Sequence, residues 1–283
     1  SLLFDINKTM STYMENSEIS KFNKRKTTEP IQVSKSFWKI ISKSIEISKL
    51  TNGLFDITVM PLVNAWGFGP NNNEVRPNVE MIKELKTIVG YNNILIEEKS
   101  INNNYQIRKL NSKTQIDFSA IAKGYAVDQI STFLYNIGYV NHLIDIGGEI
   151  KVSGRKNKKK WDIGITHPIE INKNIVNVSL DNMSIATSGI YFNFISLDSV
   201  NYSHIIDPNT GYPINNNVIS VTVISKDCSF ADGLATGLML ADINESIKIV
   251  NDLHSTEVMI LELNEKNTIN TYFSNNFKGY VKN

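Results

Sequence analysis

The sequence predicts an α+β fold, organised as a single domain over residues 1–283. Segments with helical periodicity and segments with strand alternation follow one another without the regular strand–helix–strand order of a parallel sheet. No repeat of solenoid length and no Pro- or Gly-rich linker divides the chain. Its 283 residues are long enough for one large domain or two small ones, and one domain is the simpler interpretation.

Two helices are predicted in the first half of the chain. Ser34 can cap the first, which ends near Gly53. The second runs from about Ala120 to Ile137 and is followed by Gly138. Apolar residues at helical spacing are expected to face inward: Phe37, Ile40, Ile41 and Ile45 in the first helix, and Ala126, Ile130, Phe133 and Leu134 in the second.

The second half mixes strands with helices. Ser229 is expected to open a third helix, in which Asp232, three residues on, stabilises the N–H groups of the first turn. A further amphipathic stretch runs from Ile243 to Leu253. Strands are predicted at His142 to Ile146, where Gly147-Gly148 ends the strand, and at Ile219 to Ile224, Val258 to Leu263 and Thr268 to Phe273.

Composition disfavours several classes of protein. Hydrophobic residues make up 41% and charged residues 20%, as in an ordinary globular protein. Lys+Arg 29 against Asp+Glu 28 disfavours a nucleic-acid partner, and the basic run Arg155 to Lys160 is typical of a solvated turn. Cys228, the single cysteine, excludes an intrachain disulfide and a multi-cysteine metal site.

The sequence shows no segment typical of membrane insertion or targeting. No apolar run approaches the roughly 20 residues that span a bilayer. The chain opens at Ser1 without an initiator Met, so we expect a trimmed form, in which a missing targeting segment carries no information.

Two segments suit a phosphate-bearing ligand. In Asp117 to Gly124, a carboxylate precedes a helix start and Lys123 lies in the first turns, where free N–H groups favour an anion. Taken alone, this segment favours a capped helix with an exposed Lys123. In Asp145 to Glu149, paired glycines after an apolar strand permit the close approach of a ligand, and an ordinary tight turn explains them equally well.

Two further segments carry candidate catalytic and metal-binding side chains. His204 precedes a rigid turn that begins at Asp207, and an imidazole whose tautomer is fixed by a carboxylate is the usual base toward a hydroxyl. A single histidine is nevertheless more often structural. Asp232 and Thr236 are four apart, so on a helix their oxygens share one face and suit Mg²⁺. Without a phosphate ligand, helix capping by Asp232 and back-bonding by Thr236 explain the pair better.

As a set, the four segments predict a phosphoryl-transfer site. They combine a magnesium pair, a phosphate-binding helix start, a glycine turn and a histidine base. These are the components that a diphosphate substrate requires.

Eight segments, taken in order from about Met10 to Leu240, resemble the ApbE family of FAD:protein FMN transferases. They are Ser17-Glu18-Ile19-Ser20 with Asn23, Gly53 to Thr58, Trp66 to Gly69, Asp117 to Gly124, Asp145 to Glu149, Ala186 to Gly189, His204 to Gly211 and Ala231 to Thr236. The resemblance implies a T-fold-related domain with mixed helices and antiparallel sheets. It also implies that FMN passes from FAD to a threonine, or sometimes a serine, of a target flavoprotein, with release of AMP.

The resemblance also implies roles for individual residues. Mg²⁺ would be held by the side chains of Asp232 and Thr236 and by the backbone carbonyl of Ala120. His204 matches the position of the base toward the acceptor hydroxyl. The expected FAD contacts are Tyr13, Trp66, Gly67, Phe68, Asp117, Lys123 and Ile206.

The chain departs from the family pattern in three places. The first strand of these proteins usually carries a Met-Gly-Thr-like segment, which would precede Ser1. The family's ADALAT-like run has Gly233 at its third position, which costs about 1 kcal/mol of helix propensity against Ala and removes no ligand. Ile190 stands where the family usually has an acidic residue after Thr-Ser-Gly.

Two other functions fit the same residues. An FAD pyrophosphatase would pass FMN to water, and a flavin-binding protein without catalysis would have no need of His204. For the transferase, the resemblance implies an acceptor subunit of a membrane redox complex. The expected location is the extracytoplasmic face of the bacterial cytoplasmic membrane, with attachment only through a lipoprotein anchor upstream of Ser1.

Overall fold

The computed structural model describes residues 1–70, 76–99, 104–190, 194–197 and 200–282. These residues form eight α-helices and thirteen β-strands, and every strand pairing among them is antiparallel. The predicted α+β class with antiparallel sheets is therefore confirmed. No described helix combines the length and the apolar character that crossing a bilayer requires.

The helices and strands alternate irregularly along the chain. The helices are α1 (Leu2–Met10), α2 (Glu18–Lys24), α3 (Lys35–Leu50), α4 (Met60–Ala65), α5 (Val79–Lys86), α6 (Ala122–Asn136), α7 (Cys228–Leu240) and α8 (Ile243–Asn251). The strands are β1 (Ile31–Gln32), β2 (Ile94–Lys99), β3 (Asn104–Lys109), β4 (His142–Ile146), β5 (Glu149–Ser153), β6 (Trp161–Thr166), β7 (Asn174–Leu180), β8 (Met183–Gly189), β9 (Phe194–Leu197), β10 (Val200–Ser203), β11 (Val218–Ser225), β12 (Glu257–Leu263) and β13 (Ile269–Phe273).

The chain divides into two compact units. The first comprises Ser1–Ala122 and Asn193–Ile214, and the second comprises Lys123–Phe192 and Asn215–Asn283. The prediction of one domain over residues 1–283 stays a prediction.

The first unit is built around α3 and a three-stranded sheet in the order β1-β3-β2. The Ser34 side chain accepts a hydrogen bond from the Phe37 backbone N–H at 3.2 Å, which confirms the predicted cap. The Phe37 ring then packs against Phe22 and Phe118, with ring centroids 5.5 and 5.4 Å away. Phe37, Ile40 and Ile41 are buried as predicted, whereas Ile45 is only half-buried.

The second unit is built around a six-stranded sheet in the order β13-β12-β11-β8-β5-β4. The two-stranded ribbon of β6 and β7 covers one face of this sheet. Branched residues of the ribbon, such as Ile163 and Val178, pack there against Val152, Ile185 and Leu261 of the sheet. Interleaved β-branched side chains of this kind provide most of the burial in packed sheets.

Helices α6 and α7 pack against strands of this unit's sheet. Val127 of α6, Cys228 of α7 and Ile144 of β4 form a small buried cluster, and α7 packs on β8 and β11. Predicted α6 runs two residues longer at its start and one at its end than observed, within the ordinary uncertainty of helix ends. The predicted strands His142–Ile146, Ile219–Ile224, Val258–Leu263 and Thr268–Phe273 correspond to β4, β11, β12 and β13, and the predicted amphipathic stretch corresponds to α8.

Two local predictions are wrong. Phe133 was expected to face inward, but its side chain is 51% exposed because α6 buries the face that carries Val127 and Ser131. Phe133 follows Ser131 by two residues, about 200° around the helix. Helix α7 begins at Cys228, so Ser229 lies inside its first turn instead of opening it.

Candidate active site

Asp232 is a buried carboxylate in the first half of α7. Its Oδ2 atom accepts a hydrogen bond from the Gly124 backbone N–H at 2.9 Å. Among the described residues, its Oδ1 atom has no donor. Desolvation raises the pKa of Asp232, and the charge of nearby Glu149 raises it further. The Gly124 hydrogen bond and the charge of Lys123 act in the opposite direction, but the pKa of Asp232 is still raised overall, so its negative charge is only partly compensated.

Thr236 lies one helical turn after Asp232 on the same face. Its hydroxyl donates to the Asp232 backbone carbonyl at 3.3 Å, which is the back-bonding expected of a threonine in a helix. The same hydroxyl lies 3.0 Å from the hydroxyl of Ser188 on β8. The structure therefore holds Thr236 in one rotamer, with its oxygen on the side of α7 that faces β8.

Lys123 and Glu149 form an ion pair next to these residues. The Lys123 Nζ atom lies 2.7 Å from Glu149 Oε2, where the glutamate side chain is 2% exposed and the lysine 48%. The Lys123 ammonium is the positive partner of this buried oxygen and acts to lower the pKa of Glu149. Desolvation raises the pKa of Glu149 despite the lysine. The Cδ atom of Lys123 lies 3.8 Å from the position that a Cβ atom on Gly147 would occupy.

This donor set fits a hard divalent cation. The described residues contain no cluster of three or more His, Cys, Asp or Glu side chains that could hold a metal by themselves. They do provide a spare oxygen on Asp232 and the hydroxyl of Thr236, and Glu149 adds negative charge nearby. Mg²⁺ commonly takes one or two carboxylates and completes its shell with water and substrate phosphates. The residues present therefore suit Mg²⁺ better than a soft metal.

In the first unit, Trp66 anchors a separate apolar cluster. The Trp66 side chain is 1% exposed, and its Nε1–H donates to the Gly211 carbonyl at 2.9 Å. Ile206 is buried in the same cluster, and Phe68 packs against it. Because the indole is fully enclosed, any ligand contact from the Trp66-Gly67-Phe68 segment would come from the backbone or from Phe68.

His204 is held beside Phe68 by the turn that follows it. The His204 and Phe68 rings meet edge to face, with centroids 6.5 Å apart. The Asp207 carboxylate accepts the Asn209 backbone N–H at 2.8 Å, and the Gly211 N–H donates to the Asp207 carbonyl at 2.8 Å. Gly211 has φ of +81°, and a Cβ there would lie 2.6 Å from Ile82. The turn is therefore as rigid as its sequence predicts, and Asp207 Oδ1 serves the turn itself.

The remaining predicted residues of this unit lie in turns. Asp117 Oδ1 accepts from the Ser119 N–H at 3.2 Å and hydroxyl at 2.8 Å, and desolvation raises the pKa of Asp117. Ala120 lies in the turn immediately before α6. Tyr13 follows α1, and its side chain is 71% exposed.

The predicted residues thus form two groups, one within each unit. Lys123, Asp232 and Thr236 belong to the second unit, and Trp66, Phe68, His204 and Ile206 belong to the first. Their individual roles stay predictions.

Sequence reasoning missed three residues of the second unit. Glu149 pairs with Lys123, Ser188 contacts Thr236, and Asp128 accepts from the N–H groups at the start of α7. Glu149 and Ser188 lie in two of the segments that resemble the family. Their segments could therefore be found from the sequence, but their contacts could not. Asp128 gave no signal of its own.

Comparisons with known proteins identify the family. The ApbE family profile matches residues 1–260. The chain is 37% identical to the FAD:protein FMN transferase of Vibrio cholerae over 99% of this chain and 82% of that protein. It is 33% identical to the Escherichia coli K12 protein of the same name over 96% of this chain and 77% of that protein.

Solved structures show the same relationship. The flavin transferase ApbE from Vibrio cholerae superposes with a TM-score of 0.88, at 37% identity, covering 99% of this chain and 87% of that chain. The apo flavinyl transferase ApbE from Pseudomonas stutzeri gives a TM-score of 0.87 at 30% identity, covering 99% and 85%. With this sequence agreement, this fold and this set of residues, the chain belongs to the ApbE family.

Proposed function

We propose that this protein is a Mg²⁺-dependent FAD:protein FMN transferase that attaches FMN to a threonine or serine hydroxyl of a target flavoprotein. The observation that carries the proposal is the buried carboxylate of Asp232, which has one oxygen without a donor among the described residues and the Thr236 hydroxyl one turn away. The names of the relatives supply the reaction class.

The second unit provides the groups that would bind the diphosphate of FAD. Asp232 and Thr236 would hold Mg²⁺ through their side-chain oxygens. When bound, Mg²⁺ neutralises charge on the diphosphate oxygens. Lys123, in the first turn of α6, presents a mobile ammonium near a helix N-terminus, where an anion is favoured. The diphosphate would compete with Glu149 for this ammonium.

The proposed reaction exchanges one P–O bond for another. The acceptor hydroxyl oxygen bonds to the phosphorus of the FMN half, and the diphosphate bond from that phosphorus to the AMP oxygen breaks. The electron pair leaves on the AMP phosphate, and the His204 imidazole accepts the hydroxyl proton. The rigid turn after His204 and its edge contact with Phe68 limit the orientations of the ring. A base with few orientations lowers the entropic cost of reaching the reactive geometry.

An FMN-transfer assay tests the proposal. The protein is mixed with FAD, Mg²⁺ and an acceptor domain that bears the target threonine, and the acceptor is analysed by mass spectrometry and in-gel flavin fluorescence. We expect a mass gain of one FMN that is lost in EDTA and lost when the acceptor threonine is replaced by alanine. Free FMN and AMP with an unmodified acceptor would instead identify a pyrophosphatase, and intact FAD on the protein would identify a flavin binder.

A pair of histidine variants tests the assigned base. His204→Ala is expected to retain FAD binding and to lose transfer by roughly a hundredfold or more, as for other general bases. The exposed His254 offers the matched control, since His254→Ala should transfer FMN at the wild-type rate. Unchanged transfer by His204→Ala would overturn the role.

We further propose that the acceptor belongs to a membrane redox complex on the extracytoplasmic face. The family resemblance is its support. Deleting the gene should remove a covalently flavinylated band from the membrane fraction in denaturing gels, and re-expression should restore it. A band that persists after deletion would overturn this assignment of the acceptor.

A further inference from the structure

Helices α6 and α7 begin so close together that only glycine fits at one point between them. A Cβ atom on Gly124 would lie 2.7 Å from the Cys228 carbonyl carbon and 2.8 Å from Ser229 Cα. Such distances are shorter than real Cβ contacts, and the obstructing atoms are backbone atoms that cannot rotate away. Small movements of α7 along α6 are therefore opposed by direct backbone contact.

Hydrogen bonds connect the two helix starts in both directions. The Gly124 N–H of α6 donates to the Asp232 carboxylate of α7 at 2.9 Å. In return, Asp128 of α6 accepts the backbone N–H groups of Cys228 and Ser229 at 3.0 and 2.9 Å. On each helix, the carboxylate comes four residues after a donor, which is about one turn. Each helix thus supplies an acceptor for the other's unsatisfied N–H groups.

Asp128 differs from Asp232 because both of its oxygens are used. Oδ1 accepts from the Lys151 ammonium at 2.7 Å as well as from Cys228, and Oδ2 accepts from the Ser229 hydroxyl at 2.8 Å as well as from its N–H. The Asp128 side chain is 13% exposed. With its lone pairs engaged, Asp128 cannot serve as a ligand. Its contacts determine where α7 begins.

We infer that Asp128 is a positioning residue for the proposed metal site. Resting on the proposed function, the inference is that Asp128 fixes the start of α7 so that Asp232 keeps its hydrogen bond to Gly124 through one oxygen and presents the other to Mg²⁺. Losing the carboxylate lets the first turn of α7 shift and weakens cation binding. The chemical step, which uses other groups, continues once the site is filled.

The test measures metal binding separately from turnover. Mn²⁺ is titrated by electron paramagnetic resonance in the presence of FAD and without acceptor, and the Mg²⁺ dependence of FMN transfer is measured in parallel. For Asp128→Asn we expect the dissociation constant for Mn²⁺ and the half-saturating Mg²⁺ concentration to rise by about 10- to 100-fold, the range for residues that orient metal ligands. At saturating Mg²⁺, kcat should stay within about threefold of wild type, since the groups that react are untouched.

Asp242→Asn is the matched control. Asp242 caps α8 in the same unit by accepting the N–H groups of Asn244 and Glu245, but α8 carries no proposed ligand. Because asparagine caps a helix about as well as aspartate, this variant should keep the wild-type metal constants and controls for the Asp→Asn change at a helix start without a proposed ligand. Ser229→Ala, which removes only the hydroxyl donor to Asp128, should give a smaller shift of a few-fold and is available if Asp128→Asn does not fold.

The outcomes separate the two proposals. If the wild type neither binds Mn²⁺ nor depends on Mg²⁺, the metal site fails and this inference fails with it. If the wild type does both and the Asp128 and Ser229 variants keep its metal constants, the positioning role is wrong while the proposed function stands. Equal loss of metal affinity in Asp242→Asn would also overturn the role, because the effect would then not depend on the start of α7.

Discussion

Two buried carboxylates of the second unit, Asp232 and Glu257, are satisfied in different ways. Glu257 Oε2 accepts from the Ser274 hydroxyl at 2.5 Å and from the Asn276 N–H at 3.1 Å, and Oε1 accepts from the Asn276 side-chain amide at 3.1 Å. Asp232 receives one hydrogen bond, from the Gly124 N–H, among the described residues. Both side chains are buried to a similar degree, at 7% and 4% exposure.

We expect this difference to distinguish a buried charge that serves the fold from one that serves a ligand. A buried carboxylate costs free energy unless hydrogen bonds or a positive charge compensate it. Glu257 has these bonds and ties the start of β12 to the segment after β13. Asp232 accepts the single Gly124 hydrogen bond among the described residues and lies near a second buried carboxylate, Glu149, and the charge of Lys123 offsets only part of this cost. On the proposed function, a bound cation would supply the rest.

Asp232→Asn should reduce FMN transfer by roughly a thousandfold, because a bound metal ion supplies several kcal/mol of charge stabilisation and each 1.36 kcal/mol is about tenfold in rate. The asparagine oxygen can still accept from Gly124, and the buried charge is removed. The free energy of unfolding without metal should therefore be equal to or above that of the wild type. Transfer kinetics check the loss of activity, and denaturant unfolding checks the stability. A fully active Asp232→Asn variant would show that the Asp232 carboxylate does not serve a ligand.

Gly124→Ala should lower the free energy of unfolding by about 3 kcal/mol, since overpacking typically costs 1–3 kcal/mol or more where backbone atoms obstruct. Gly279→Ala is the control, because a Cβ there meets nothing within 4 Å and its φ is not positive. Chemical denaturation compares the two variants. Equal stability of both would show that α6 and α7 are not as closely apposed as described.

Glu257→Gln should lower the free energy of unfolding by about 2 kcal/mol, because it places an amide donor opposite donors from Ser274 and Asn276. The Mg²⁺ dependence of FMN transfer should not change, in contrast to Asp232→Asn. The check is a pair of measurements on one preparation, unfolding and a Mg²⁺ titration. A shifted Mg²⁺ requirement would remove the contrast between the two carboxylates.

Lys109 is a buried cation in the first unit and can be compared with these carboxylates. Its ammonium donates hydrogen bonds to the carbonyls of Phe22 and Arg25 at 2.8 and 3.0 Å. Desolvation, with the charges of Lys26 and Arg25, lowers the pKa of Lys109 to about 8. Between this pKa and the unfolded value of 10.5, the unfolded chain binds more protons, so stability from this group rises with pH.

The wild type should therefore gain about 1 kcal/mol relative to Lys109→Met between pH 7 and pH 9. Unfolding in urea at several pH values measures this difference. A difference that stays constant with pH would mean that the ammonium is not desolvated.

Much of the fold was predictable because it depends on neighbours along the chain. The cap of α3 by Ser34, the bounds of β4 and the shared face of Asp232 and Thr236 follow from helix and strand geometry over a few residues. The ordered motifs also identified the ApbE family, since each motif is a short local pattern. Periodicity failed at Phe133, where the exposed side of α6 was determined by what the rest of the unit covers.

By itself, then, the sequence determined the local elements, the family and the residue types of the candidate site. Which donors each carboxylate meets depends on how distant parts of the chain pack together. Asp232 receives its hydrogen bond from Gly124, 108 residues earlier, and the start of α7 is held by Asp128, 100 residues before Cys228. The physical reason is that a hydrogen bond depends on distances of about 3 Å between particular atoms, and packing brings such atoms together without leaving a periodic pattern in the sequence.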